Sequence, residues 1–165
     1  MVGRPSYLGV AISDWVAALK SSDSLERRLA AHALAEIGPA AREAVPALIE
    51  ALLDPLSFVR VWAAAALARV QPENPDAIPV LVAGTHDGTS FVRSLAAWHL
   101  GRLGQRHPGI ESVAPELSGL LNDNDPSVRA EALVALDNLA GKGAPPAELK
   151  SLAPTADPAV SPRVA

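Results

Sequence analysis

Apolar residues recur along this chain with the period of an α-helix, in four segments that share one pattern. Each segment begins at an arginine, and small or aliphatic residues follow at most of the offsets 3, 6, 7 and 10. Positions three and four apart stack on one side of a helix, so these offsets form a single buried face. The pattern predicts four similar helices, which read R-R-L-A-A-H-A-L-A-E-I from Arg27, R-V-W-A-A-A-A-L-A-R-V from Arg60, R-S-L-A-A-W-H-L-G-R-L from Arg93 and R-A-E-A-L-V-A-L-D-N-L from Arg129.

A second, shorter helix is predicted after each of the first three. These segments read V-P-A-L-I-E-A-L-L from Val45, I-P-V-L-V-A-G-T-H from Ile78 and A-P-E-L-S-G-L-L-N from Ala114. A proline near the start of each one suits the first turn of a helix, where its missing N–H has no intrahelical partner to lose. Residues 12–20 repeat this second-helix pattern before the first arginine, and we expect them to cap the open end of the array.

The spacing of the four arginines indicates a stacked repeat array. Arg27, Arg60 and Arg93 are 33 residues apart, and Arg129 follows after 36. A fixed period in this range is typical of helical solenoids. We therefore predict an all-α, right-handed α–α superhelix of about four helix-pair repeats with an N-terminal half-repeat. The expected boundaries are a solenoid over 1–140, with a capping helix at 12–20 and repeats near 23–53, 57–86, 90–122 and 126–152, and a Pro-rich C-terminal segment over 141–165.

An aspartate stands six residues before three of the arginines, in the pairs Asp54 and Arg60, Asp87 and Arg93, Asp123 and Arg129. This D-x5-R spacing, followed by alanines and leucine, resembles the HEAT repeat. The short period and the segment V-R-S-L-A-A-W-H-L-G-R-L-G from Val92 are most similar to the phycobilisome-lyase type. The resemblance implies that these residues, with Arg27, form a structural ladder of hydrogen bonds between adjacent turns. A phosphate-binding row of arginines is the alternative, and the nearby carboxylates argue against it.

Composition narrows the classes of partner. The chain has 14 basic and 18 acidic residues, for a net charge of −4, and no cysteine. A nucleic-acid-binding protein normally carries a basic face, so we expect no nucleic acid as partner. Disulfides and thiolate metal sites are excluded. We also expect no membrane contact, because the chain lacks a run of roughly 18 apolar residues, and we expect a cytoplasmic location.

The sequence offers no convergent catalytic chemistry. The histidines have no spacing typical of a helical metal site, and there is no nucleophile motif or phosphate-binding glycine loop. We therefore expect a protein without metal, cofactor or catalytic residues. The predicted function is a non-catalytic scaffold or adaptor for protein–protein interaction, with an unidentified protein as partner. The resemblance implies one alternative, a bilin lyase or chromophore-chaperone subunit that acts on a phycobiliprotein-like partner.

Function is expected where the repeats differ from one another. Trp62 and Trp98 lie outside the face formed by offsets 3, 6, 7 and 10, so they could form an apolar patch that binds a partner. At offset 6, His99 replaces the alanine of the other units. It is interpreted either as a core histidine bonded to a backbone carbonyl or as a ligand contact. Offset 9 holds Arg69 and Arg102, too few for a nucleic-acid site. The predicted partner-binding residues are Trp62, Trp98, His99, Arg106 and His107.

Overall fold

The computed structural model describes residues 6–104 and 110–140, and within them most of the chain is helical. Short 3-10 segments cover Gly38–Ala44, Ile110–Val113 and Leu120–Asn122. A tight hairpin precedes the helices, with Leu8 and Gly9 at positive φ in its two-residue turn. The elements are β1 Ser6–Tyr7, β2 Val10–Ala11, α1 Ile12–Ala18, α2 Ser24–Ile37, α3 Val45–Ala51, α4 Ser57–Val70, α5 Ala77–Gly84, α6 Ser90–Gly104, α7 Ala114–Gly119 and α8 Pro126–Leu139.

Long and short helices alternate along the chain. The long helices α2, α4, α6 and α8 carry the four arginines, and we call them the first helices. Each first helix packs against the next one in the series, while α3 and α5 pack beside α4 and α7 packs beside α8. The helix α1 packs on α2 without a long helix before it. This arrangement is an α-solenoid, and the predicted all-α repeat fold is confirmed.

Alanine and leucine at matching offsets build the core. Offset 3 is fully buried in all four first helices, at Ala30, Ala63, Ala96 and Ala132. Offset 7 is fully buried at Leu34, Leu67 and Leu100. A methyl side chain lets neighbouring helix backbones approach closely, and each leucine fills the space that remains between them. The core is therefore a continuous layer that runs through the stack.

The arginine ladder connects consecutive units through carboxylates. Arg27 donates to both Asp54 oxygens at 2.6 and 3.1 Å, across 27 residues. Arg93 binds Asp123 in the same bidentate way at 2.7 and 2.8 Å, across 30 residues. Burial alone would raise the pKa of Asp54, but hydrogen bonds from Arg27 and the Leu56 N–H outweigh it and hold that pKa below its usual value.

Within a unit, the arginine binds the backbone of its own turn instead of the carboxylate six residues before it. Nη1 of Arg60 donates to the carbonyl of Asp54 at 2.8 Å, and Arg129 donates to that of Asp123 at 2.8 Å. Arg27 donates likewise to the Ser21 carbonyl at 2.9 Å. A serine can therefore stand where other units have aspartate, because no arginine-bearing helix precedes α2 to need that carboxylate.

We call each arginine–aspartate link between consecutive units a rung of the ladder. The second rung, between Arg60 and Asp87, is open, which means that the link is not formed. Although both residues are described, no direct hydrogen bond or ion pair joins Arg60 to Asp87. Asp87 instead accepts from the Thr89 N–H at 2.9 Å. Its pKa is still held below the usual value, because hydrogen bonds from Thr89 and Ser57 and the nearby charge of Arg60 outweigh the effect of burial. The junction between α4 and α6 therefore lacks the carboxylate clamp of its neighbours.

Candidate functional site

A row of aromatic side chains crosses the first helices α2, α4 and α6. We call it the aromatic row, and it consists of Tyr7, His32, Trp62, Trp98 and His99. Ring centroids are 6.0 Å apart for Tyr7 and His32, 5.3 Å for His32 and Trp62, and 6.3 Å for Trp62 and Trp98. These separations lie in the range of favourable aromatic pairs. The structure thus brings the two tryptophans singled out in the sequence into one cluster.

The repeat register explains how the row forms. Trp62 stands at offset 2 of α4, whereas His32 and Trp98 stand at offset 5 of α2 and α6. Offsets 2 and 5 lie on the same side of a helix, and α4 stands between α2 and α6, so the ring of Trp62 lies between the other two. His99, one residue after Trp98, contacts both tryptophans edge to face, at 4.8 Å from Trp62 and 4.6 Å from Trp98.

A cleft of about 310 Å³ opens beside the row, and its lining residues in the described part of the chain all belong to the four first helices. Its floor is aromatic and aliphatic. Its rim is polar, because offset 9 contributes one residue from each helix, as Glu36, Arg69, Arg102 and Asn138. The complete lining is His32, Ala35, Glu36, Trp62, Ala65, Arg69, Trp98, His99, Arg102, Leu103 and Asn138. We call this cavity the aromatic cleft.

His99 is the most unusual residue of the aromatic cleft. Its side chain is only 7% exposed, and its Nε2 atom is buried without a hydrogen-bond partner among the residues that the structure describes. The expected bond from a core histidine to a backbone carbonyl is therefore absent at this nitrogen. Burial, together with the positive charges of Arg102 and Arg69, lowers the pKa of His99 to about 3. The ring is consequently neutral at physiological pH.

Two arginines rest on the tryptophans. The guanidinium of Arg102 lies 4.7 Å from the ring centroid of Trp98, and that of Arg28 lies 5.9 Å from the centroid of Trp62. Both distances fit cation–π contacts. Arg69 donates to Glu36 at 2.8 Å. Within residues 6–104 and 110–140, Arg102 forms no ion pair, so its charge is available at the rim.

The structure does not describe all of the predicted site residues. Arg106 and His107 fall outside the described residues. Two further residues, Tyr7 and His32, belong to the aromatic row, and the cleft adds the two offset-9 arginines, which by themselves are too few for a nucleic-acid site. Both arginines stand at offset 9 of adjacent first helices, so the sequence did indicate that they lie close together. What it could not show is that both guanidinium groups border a cleft with two tryptophans.

The described part of the chain contains no group of three or more histidine, aspartate or glutamate side chains that could hold a metal ion. None of its helices is long and apolar enough to cross a membrane.

Comparison with known proteins identifies the repeat. The sequence profile of HEAT repeats matches residues 12–101, which is more than half of the chain. The chain belongs to the HEAT-repeat family. The resemblance expected from the D-x5-R motif is therefore confirmed. No curated protein sequence matches the chain.

Solved structures share this fold. An engineered protein of the Northeast Structural Genomics Consortium is 27% identical, with a TM-score of 0.57, over 86% of this HEAT-repeat chain and 66% of its own, so the chain spans slightly less than two-thirds of it. The complex of CpcE and CpcF of phycocyanin lyase from Nostoc sp. PCC7120 is 22% identical, with a TM-score of 0.59, over 86% of this chain and 85% of that one. At 22% identity the likeness concerns the fold alone.

Proposed function

We propose that this HEAT-repeat protein is a non-catalytic scaffold or adaptor that captures another protein on its first helices. The observation that carries the proposal is the presence at one cleft of Trp62, Trp98 and Arg102, an arginine that forms no ion pair among the described residues. Tryptophan and arginine are the side chains that dominate binding energy at protein interfaces, especially around partly enclosed pockets. The aromatic row would serve as the anchor site, and the charged rim would orient the partner.

Trp98 is the better of the two tryptophans for a test. Trp62 also packs against the hydrophobic core, so its removal would change stability together with binding. Phe91 provides a matched control, because it is an aromatic residue on the same helix, is 60% exposed and does not line the cleft. The two substitutions Trp98→Ala and Phe91→Ala thus compare loss of a ring inside and outside the site.

The experiment is quantitative recovery of bound proteins from an extract of the native cells, with wild-type protein, Trp98→Ala and Phe91→Ala as baits. Loss of a binding hot spot corresponds to at least 2 kcal/mol, so Trp98→Ala should weaken the affinity for the recovered partner by about 30-fold or more. Phe91→Ala should leave it unchanged. Equal recovery by both variants, with thermal stability intact in each, would contradict the proposed site.

A second candidate function is a bilin lyase or chromophore-chaperone subunit acting on a phycobiliprotein-like partner. Two observations favour it: the fold is shared with the CpcE–CpcF complex of phycocyanin lyase, and the cleft offers aromatic rings beside arginines. A volume of about 310 Å³ is at the small end for enclosed ligands, so an extended tetrapyrrole would lie across the cleft rather than inside it.

Chromophore transfer tests this second candidate directly. The protein is incubated with a bilin and an apo-phycobiliprotein, and covalently bound chromophore is measured after denaturation. A lyase should raise the yield above that of the mixture without the protein, and Trp98→Ala should reduce the gain. A yield equal to the uncatalysed one would exclude the activity for this chain alone, while binding of a partner protein would still support the scaffold.

A further inference from the structure

Two buried nitrogen atoms at the aromatic cleft lack hydrogen-bond partners among the described residues. One is Nε2 of His99, and the other is Nε1 of Trp62. Both side chains line the cleft. A buried polar atom without a partner costs free energy, which is why nearly all such atoms in native proteins are paired. Neither atom is accessible to solvent, so a ligand can pair with them only when the rings that cover them move.

The two nitrogens differ in what they require. An indole Nε1 can only donate, so Trp62 needs an acceptor such as a carbonyl or carboxylate oxygen. A neutral histidine either donates or accepts at Nε2, depending on its tautomer. A peptide group contains both an N–H and a C=O, so the main chain of a bound segment suits either tautomer of His99.

The rim favours an anionic ligand. The guanidinium of Arg102 has no carboxylate partner in the described chain, and Arg28 lies over Trp62 a short distance away. Arg69 is already bonded to Glu36 through one nitrogen, which leaves Arg102 as the available cation. An Arg guanidinium binds a carboxylate in a bidentate manner and strongly prefers it to a neutral acceptor.

The size and extent of the site favour a peptide over a free small molecule. The cleft of about 310 Å³ suits one large side chain. The aromatic row continues beyond it, from Trp62 through His32 to Tyr7 in the N-terminal hairpin. An extended segment could cover this row while it inserts a single residue, whereas a compact ligand would leave most of the row unused.

We propose that the aromatic cleft binds an aromatic side chain, followed by an acidic residue, in an extended segment of the partner protein. The ring enters the cleft beside Trp62 and Trp98, the carboxylate pairs with Arg102, and main-chain groups bond Nε2 of His99 and Nε1 of Trp62 once the rings have moved to admit the segment. This inference rests on the proposed scaffold function and specifies the chemistry that its partner presents.

The test uses three capped peptides of equal length that differ at one central dipeptide, Phe–Glu, Phe–Gln or Ala–Glu, in a Gly/Ser background. Phenylacetate serves as a small-molecule probe of the same chemistry. Binding to the full chain is followed by tryptophan fluorescence and by the NMR signal of the Trp62 indole N–H. We expect the Phe–Glu peptide to bind at least tenfold more tightly than either of the other two and to shift the indole signal.

Variants connect this preference to the residues. Arg102→Gln should reduce the tenfold preference for Phe–Glu over Phe–Gln to nearly one, and His99→Ala, which restores the residue of the other units, should weaken both. Arg42→Gln removes an exposed arginine away from the cleft and should change nothing.

Each other outcome overturns the inference. Equal binding of the three peptides, or none, would reject the aromatic–acidic motif, yet loss of partner capture in Trp98→Ala would still support the scaffold function. Phenylacetate binding as tightly as the Phe–Glu peptide, with the same dependence on Arg102, would instead assign the cleft to a free small molecule.

Discussion

The two junctions that α6 makes with its neighbours are built from the same repeat pattern but differ greatly in closeness. Toward α8 the contact is intimate: a Cβ added at Gly101 would lie 2.6 Å from Cα of Ala135, and one at Gly104 would lie 2.7 Å from Cδ2 of Leu139. Only glycine allows the two helices this approach. The Arg93–Asp123 rung is closed at the same junction.

Toward α4 the contact is much looser. His99 replaces alanine at offset 6, the two tryptophans occupy the flank, and the Arg60–Asp87 rung is open. A second cavity of about 230 Å³ lies beside that open rung, lined by residues that include Arg60, Asp87 and Gly84. Because each repeat interacts only with its neighbours, one junction can be loosened for binding while the next remains closed.

The largest loss of stability is expected when the space beside a glycine between α6 and α8 is filled. Gly101→Ala places a methyl group against the backbone of Ala135, where no side chain can move away. We expect a loss of about 1–3 kcal/mol in the free energy of unfolding, measured by urea denaturation. Gly119→Ala is the matched control, because nothing lies within 4 Å of its added Cβ, and it should be neutral or stabilising. Equal changes in the free energy of unfolding for the two variants would contradict the close packing of α6 against α8.

The two rungs should differ in a double-mutant cycle. Arg93→Ala leaves the largely buried Asp123 without its bidentate partner, so it should cost about 1–3 kcal/mol, with a coupling energy between the two residues of about 1 kcal/mol. The same cycle with Arg60→Ala and Asp87→Ala should give a smaller coupling energy, because only the nearby charge of Arg60, and no direct hydrogen bond from it, acts on Asp87. Similar coupling in both cycles would show that the second rung closes in solution.

The smallest effect is expected from the protonation of His99. Its pKa is lowered to about 3 in the folded protein, below the value near 6.5 of an exposed histidine, so the unfolded chain binds the extra proton between these two pH values. Stability should therefore fall as the pH drops through 6.5, by about 1 kcal/mol between about pH 7 and 5.5. The ladder aspartates, with lowered pKa values, remain ionised in this window.

Chemical denaturation at the two pH values measures the contribution of His99 to the free energy of unfolding. His99→Ala should remove it, and substitution of the exposed His86 should not. A pH dependence that His99→Ala leaves unchanged would mean that another group is responsible, and that His99 is accessible to protons in the folded state.

The long helices and their buried faces were predictable, because periodicity and alanine at offset 3 are properties of a single segment. The closeness of Trp62 and Trp98 was also predictable, since both lie outside the buried face on neighbouring first helices. The hydrogen-bond partners of the ladder residues were not predictable. A ladder between adjacent turns was expected, but the sequence did not show which arginine each carboxylate binds: the Asp54 carboxylate binds Arg27 of the preceding helix, and only its carbonyl binds Arg60.

By itself, the sequence determined the kind of molecule: a period of 33 residues with the same apolar face on each first helix forces similar units to stack, because no unit can bury that face alone. Only the tertiary structure decided how closely each pair of units packs. That distance depends on the contact between residues of different units, such as Gly101 with Ala135 or His99 with Trp62. The contact of His99 with Trp62 also explains why two buried nitrogens of the aromatic cleft have no partner among the described residues.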